Sequence, residues 1–342
     1  MAKLLLLTKR LGHGSGTASV AYALAQGLHE RGWPVEIWCD EPGNPPPGVS
    51  MNRGVHRAPR SDGLRIGLDR TPHCDVLRCS GGVHEAWRRV LRTDPTRFWR
   101  GLGPSRTSWA ERHAMKSARV LVCNSEHVAH QVAQRYRPPQ PLRVVRNGVD
   151  LERYRPSLEA RNQARARWRV PSGGRVALFV AHGWFRKGFH AAVRAFARVA
   201  GPRDRLVVMG RDSRARQRLA WARRQLSQKL VAADGTDAVA ALPGGDVLVH
   251  PTRYDASANV VLQAMACGVP PVTTLFDGAA EIVEDRRLIV ANPDDDIAIA
   301  ASIRHAWEAR HTGARCHDVA KRWPTSRMVE GMATIVEELL HG

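Results

Sequence analysis

Asp255 and Gln263, with seven residues between them, flank the start of a helix in the stretch 247–274, VLVHPTRYDASANVVLQAMACGVPPVTT. The apolar run 247–249 has the length and β-branched content of a buried parallel strand, and His250-Pro251 ends it because proline cannot continue the ladder. Residues 259–267 then set Val260, Val261, Ala264 and Met265 at helical spacing. Ser257 or Asn259 is placed to cap the first turn, and Gly268 lies just past the end. A loop beyond the carboxyl end of a parallel strand, followed by the free N–H groups that open a helix, is a natural anion site. A carboxylate and an amide frame it, one accepting hydrogen bonds and the other both donating and accepting. A second site of the same build appears at 182–188, HGWFRKG, where Arg186 and Lys187 precede a glycine and the helical pattern of 189–199. Fixed cations at a helix N-terminus stabilise an anion whose charge grows during bond breaking.

The elements that must hold these residues alternate along the whole chain. Apolar runs at 3–8, 35–39, 119–123 and 142–146 read as strands, with helices over 17–31 and 126–135. Residues 41–69 are rich in Pro, Gly and Arg and read poorly, with short strands expected at 55–58 and 76–79. After the latter come Ser80-Gly81-Gly82-Val83-His84, a strand end, a glycine turn and a helix start that bring His84 to the same edge as the first loop. In the second half, strands at 176–181, 206–209, 230–231, 247–249 and 269–273 alternate with helices, and 296–309 and 326–340 are amphipathic helices. The first glycine loop, GHGSG at 12–16, is not the dinucleotide fingerprint, because the third glycine would fall on Thr17; this argues against Asp40 as a ribose acid.

With 342 residues, the chain has room for two cores. No run approaches the roughly 18 to 20 apolar residues of a membrane span, and neither export nor spanning is expected. Six cysteines without CxxC spacing suit reduced thiols rather than disulfides or zinc, so the cytoplasm is the expected compartment. The net charge of +20, mostly arginine, calls for acidic company: anionic lipid, a phosphorylated glycan, a nucleotide diphosphate or nucleic acid. No zinc-finger spacing or aromatic RNP-like strand supports nucleic acid, and no nucleic-acid partner is expected. Residues 87–116 interleave Trp87, Phe98, Trp99 and Trp109 with arginines, among them Arg88, Arg89 and Arg92. That composition fits an interfacial surface on anionic membrane, and it also fits a half-buried helix pair with a solvated rim.

The motif around Asp255 and Gln263 resembles the donor-site signature of the retaining, GT-B fold glycosyltransferases of family 4, in which a loop acid and a helical Glu stand at this spacing before a phrase like EAMACGVPVV. Further resemblances run in order along the chain: LHERGWPV at 28–35, NSE at 124–126, NGVDLERY at 147–154, RKG at 186–188, and FDGAAEIV at 276–283, which is similar to a GGxxEIV turn. The closest group in this resemblance is the lipopolysaccharide-core type. The resemblance implies an α/β GT-B fold of two Rossmann-like domains with parallel sheets facing a central cleft and a last helix crossing back. It places an acceptor-side domain at 1–157, a nucleotide-sugar domain at 158–325 and the returning helix at 326–342. It further implies transfer of a hexose from a nucleotide-diphosphate sugar, most often a UDP-sugar, to a cell-envelope glycan or glycolipid, with retention. In that scheme His84 and Asp255 are the catalytic pair, Arg186 and Lys187 bind the diphosphate, Gln263 meets the ribose, and Ser15, Gly16, Ser257, Asn259, Gly278 and Glu281 complete donor binding. No metal and no cofactor beyond the co-substrate is expected. Gln263 where Glu is usual, Ser15 where Gly is usual and Asp277 where Gly is commoner depart from the pattern. A GT-B epimerase or a catalytically impaired binding protein is the alternative.

Overall fold

The computed structural model describes residues 2–11, 16–60, 62–68, 70–94, 105–233, 235, 237–309 and 311–341. The chain divides into two compact units, unit 1 from Met1–Gly148 with Thr325–Gly342, and unit 2 from Val149–Pro324.

Unit 1 is built on a seven-stranded sheet of β1 (Leu4–Arg10), β2 (Val35–Glu41), β3 (Ser50–Arg53), β4 (Leu64–Leu68), β5 (Val76–Cys79), β6 (Val120–Cys123) and β7 (Leu142–Val144). The order is β3-β2-β1-β4-β5-β6-β7 and every pairing is parallel. Leu4, Leu5, Leu6 and Leu7 are all buried, as a strand covered on both faces requires. Its helices are α1 (Gly16–Glu30), α2 (His84–Arg92), α3 (Arg106–Ser117), α4 (Glu126–Tyr136) and the chain-terminal α12 (Thr325–His341). In α12, Met328, Val329, Met332, Ala333 and Val336 form one apolar stripe that shares a core with Val20, Leu24 and Leu28 of α1. The two helices approach so closely that a Cβ on Gly27 would lie 2.5 Å from Val329 Cγ2.

One expected strand is absent. Residues 55–58 do not extend; Val55–Arg57 is a single 3-10 turn, because Gly54 at φ 91° turns the chain and Asp40 Oδ1 accepts the Val55 N–H at 3.0 Å. The strands of that region are β3 and β4. Charge hides β4 in the sequence: Arg65 is buried, and its guanidinium donates to the carbonyls of Ala58 (2.8 Å), Pro59 (2.6 Å) and His73 (2.8 Å).

Unit 2 carries a six-stranded parallel sheet, β8 (Val176–Val180), β9 (Arg205–Met209), β10 (Leu230–Ala232), β11 (Val247–Val249), β12 (Pro271–Thr274) and β13 (Ile289–Val290), in the order β10-β9-β8-β11-β12-β13. Around it lie α5 (Leu158–Arg167), α6 (Phe189–Val199), α7 (Ala215–Leu226), α8 (Ala238–Ala241), α9 (Asn259–Ala266), α10 (Asp296–Glu308) and α11 (Thr312–Lys321). Phe179, Trp184 and Phe189 anchor its core, with Trp184 stacked on Phe189 at 5.0 Å and Phe179 edge-on to Phe189 at 5.4 Å. Strand order reverses between β8 and β11. The loops leaving the carboxyl ends of those two strands are 181–188 and 250–258, which is where open α/β sheets bind ligands. Among the described residues no helix is long and apolar enough to cross a membrane.

Candidate active site

The basic loop after β8 is held in place by the loop after β11. Gly188, at φ 78°, lies with its Cα against the carbonyl of Pro251 and leaves no room for a side chain. The Arg186 carbonyl accepts the Arg253 N–H at 2.8 Å and the Thr252 hydroxyl at 3.2 Å. Arg253 also donates to the Phe185 carbonyl at 2.7 Å, lies 4.6 Å over the Phe185 ring and pairs with Asp294.

This grip delivers the two cations to one acid. The Lys187 ammonium contacts the Asp255 carboxylate directly, and the Arg186 guanidinium stands 3.8 Å from the same oxygen while donating to the Tyr254 carbonyl at 2.6 Å. His250, fully buried, completes the cluster, with Nε2 3.5 Å from Asp255 and 3.4 Å from Lys187. Burial, reinforced by Lys187 and Arg186, holds the His250 imidazole well below its ordinary pKa, so the ring is neutral. Burial and then Arg186 pull the Lys187 ammonium down as well, while the carboxylate of Asp277 pulls it up.

Asp277 is the buried partner of the whole assembly, at 1% exposure. Its Oδ1 accepts the N–H groups of Ala258 (3.0 Å) and Ala279 (2.9 Å), and its Oδ2 accepts the Thr273 hydroxyl at 2.9 Å. Backbone bonds join the same segments: Asp255 N–H donates to Phe276 at 2.9 Å and Gly278 N–H to Asp255 at 3.1 Å. The expected cap on α9 is corrected here. Ala258, not Ser257 or Asn259, occupies the cap position and offers no side-chain cap bond; the carboxylate at that turn arrives from Asp277. Ser257, Asn259 and Gln263 are half-buried on the loop and first turns of α9, Gly278 is buried, and Glu281 is exposed in the 3-10 turn Gly278–Ile282.

In unit 1, Gly16 opens α1, and Ser15 lies outside the described residues. His84 opens α2. Its N–H donates to both oxygens of Glu111 (3.1 and 2.9 Å), its Nε2 is 3.1 Å from Ser105 Oγ, and its ring stacks on Trp87 at 5.1 Å. Burial first, then Arg70 and Arg88, lower the His84 pKa to about 4. Near neutral pH the ring is therefore an uncharged hydrogen-bonding group. Glu111 is itself buried and accepts the Tyr136 hydroxyl at 2.5 Å and Arg70 Nε at 3.2 Å; burial pushes its carboxyl up. Arg78 is a structural residue, fully buried and donating to Val145 O (3.0 Å) and Asn147 Oδ1 (2.8 Å). Among the described residues no group of three or more His, Cys, Asp or Glu side chains could hold a metal ion.

Sequence reasoning missed His250, Asp277 and Glu111 as working parts. The signals were faint: a histidine closing a strand in the same loop as Asp255, an acid where glycine was looked for, and the one acid in the Arg- and Trp-rich residues 95–116.

Residues 14–153 match the family described as Glycosyltransferase Family 4, and residues 174–309 match Glycosyl transferases group 1. A D-inositol 3-phosphate glycosyltransferase of Saccharomonospora viridis is 29% identical over 253 residues, 67% of this chain and 58% of that one. A GDP-mannose-dependent alpha-mannosyltransferase of Mycolicibacterium smegmatis is 28% identical over 324 residues, 83% of this chain and 84% of that one. The chain spans about half the length of the D-inositol 3-phosphate glycosyltransferases it matches, 58% and 51% of the first two. The fold is shared with WaaG, a glycosyltransferase involved in lipopolysaccharide biosynthesis (TM-score 0.79, 17% identity, 97% of this chain and 99% of that one). It is also shared with Anabaena Alr3699/HepE, solved with UDP-glucose (TM-score 0.78, 15% identity, 99% of this chain and 100% of that one).

Proposed function

The chain belongs, across residues 14–153 and 174–309, to the glycosyltransferases of family 4 and group 1, and from that premise we propose that it moves a hexose from a nucleotide-diphosphate sugar to a cell-envelope glycan or glycolipid, with retention of configuration. The observation that carries this reading is the convergence of Arg186 and Lys187 on Asp255 beside the opening of α9. When the bond between the anomeric carbon and the phosphate oxygen breaks, the electron pair leaves with the diphosphate. Two fixed cations and the α9 N–H groups stabilise that charge as it develops. The acceptor oxygen bonds to the same face of the carbon, and its proton passes to the departing phosphate, so no protein base is required. Asp255 orients the sugar, Gln263 meets the ribose and Glu281 supports the sugar loop. Gly16 and a neutral His84 serve the acceptor side. UDP is the proposed nucleotide, in keeping with the UDP-glucose complex of Alr3699/HepE, and a lipopolysaccharide-core acceptor fits the likeness to WaaG.

A thermal-shift series across UDP- and GDP-sugars tests the donor, since a ligand that binds only the folded state raises the melting temperature. One nucleotide-sugar should stabilise the protein, and Gln263→Glu should hold or strengthen that binding by restoring a charge-assisted bond to a ribose diol. A clear fall in affinity would remove Gln263 from the ribose.

A peripheral membrane contact belongs to the same proposal, and α3 supplies its surface. Arg106, Trp109, His113 and Lys116 recur at helical spacing and are all exposed, with Trp109 69% exposed and stacked on His113 at 5.4 Å. Arg88, expected in this patch, is instead buried against Glu85 at 3.1 Å. Each basic side chain near an anionic surface contributes about 1 kcal/mol. Reversing Arg106 and Lys116 to Glu should therefore lower cosedimentation with phosphatidylglycerol vesicles by about tenfold or more. Unchanged cosedimentation would exclude this helix.

A further inference from the structure

We propose that Asp277 is a positioning residue for transfer: it fixes Asp255 and the opening turn of α9 in one geometry. The inference rests on the donor-site reading above.

Three chain segments end on this one carboxylate. Thr273 lies in β12, Ala258 is the cap residue of α9, and Ala279 lies in the turn Gly278–Ile282; each gives Asp277 a hydrogen bond of 3.0 Å or shorter. The bridge between residues 255 and 277 then sets the Asp255 backbone by bonds on both of its faces. Glycine at 277 would leave the Ala258 and Ala279 N–H groups without this acceptor, and buried donors are costly to leave unmet. Asp277 is thus a local substitute for a side-chain cap on α9, which the sequence of that helix does not provide. Asp277 acts through Asp255 and the α9 turn, with no direct contact to the ligand required of Asp277 itself.

Two variants separate geometry from charge. In Asp277→Asn the amide oxygen still accepts the two N–H groups, and the Thr273 hydroxyl can turn to accept from the amide; only the charge is lost. Asp277→Ala loses the bonds as well. In the ligand-free protein, amide exchange over 255–260 and 278–281 should quicken about tenfold or more in Asp277→Ala and stay near wild type in Asp277→Asn, with the rest of unit 2 unchanged. In turnover, Asp277→Ala should lower kcat about tenfold with acceptor KM unchanged, and Asp277→Asn, which keeps the acceptor oxygen, should recover most of that loss. Unaltered exchange in a folded Asp277→Ala overturns the positioning claim. Should the wild-type protein bind no nucleotide-sugar while exchange responds as expected, the donor assignment fails and the structural role of Asp277 stands.

Discussion

Lys187→Met is expected to lower turnover with the nucleotide-sugar about 10²-fold or more and, in the same variant, to destabilise unit 2 by about 3 kcal/mol. The two effects share one cause. Asp255 has a side chain only 14% exposed, and its carboxylate is neutralised chiefly by the Lys187 ammonium in contact with it. Methionine fills most of the lysine stem and supplies no charge, so the acid is left in a half-dry site with Arg186 at 3.8 Å and a neutral His250 at 3.5 Å as its remaining partners. Removing one member of a buried ion pair costs more than the pair was worth, because the other charge stays behind. The catalytic loss is separate, because the developing diphosphate charge loses a fixed cation. The double variant Lys187→Met/Asp255→Asn tells them apart. It should recover most of the stability, since no orphaned charge remains, and none of the turnover. Denaturant unfolding of the three proteins, read with kcat/KM, is the measurement. A single variant within 1 kcal/mol and tenfold of wild type would show that Lys187 neither neutralises Asp255 nor meets the diphosphate.

Arg186 makes a contrasting case. Its side chain is 27% exposed and its guanidinium is anchored on the Tyr254 carbonyl. A cation at the rim of a site contributes to ligand binding without being needed to neutralise a buried acid, so its removal weighs on donor affinity far more than on folding. The adjacent pair RK thus divides into a cation at the rim and one that also neutralises a buried acid, a division that two neighbouring letters cannot express.

The limits of sequence reading follow the same physics. Strands buried on both faces, such as β1 with its four leucines or β11 with VLV, announce themselves as apolar runs, and the loops that follow them carry recognisable words. The α9 helix was legible for that reason, and so was the pairing of Asp255 with the 186–187 loop. What stayed hidden was satisfied by distant partners. Arg65 sits inside β4 because three carbonyls surround its guanidinium. Asp277 accepts from the cap residue of a helix, nineteen positions before it, whereas cap rules look only at the residues next to the turn. Gly54 and Asp40 turn residues 55–57 away from the sheet by a bond across fifteen positions. Local patterns report what a segment prefers; buried polar groups report what the rest of the fold has offered it.

Glu111 is the strongest instance, and Glu111→Ala should be the most damaging single change in unit 1, at about 3–5 kcal/mol. The stretch around it, SRTSWAERHAMK, reads as a basic amphipathic helix in which one acid looks incidental. In the fold this carboxylate is 2% exposed and takes four contacts: the His84 N–H on both oxygens, the Tyr136 hydroxyl and the Arg70 guanidinium. Alanine would strand the Arg70 charge, the phenol and the first N–H of α2 together, and would free the turn that presents His84. Glu111→Gln keeps the volume and one acceptor oxygen, so its cost should be nearer 1–2 kcal/mol. Hydrogen exchange of the amides in 83–92 and 106–117 reads the local effect, and denaturant unfolding reads the global one. If His84 serves the acceptor, the alanine variant should also raise acceptor KM while leaving donor binding, carried by unit 2, near wild type. A Glu111→Ala protein as stable as the wild type would mean that water or another carboxylate replaces it, and that the buried network does not hold His84 in place.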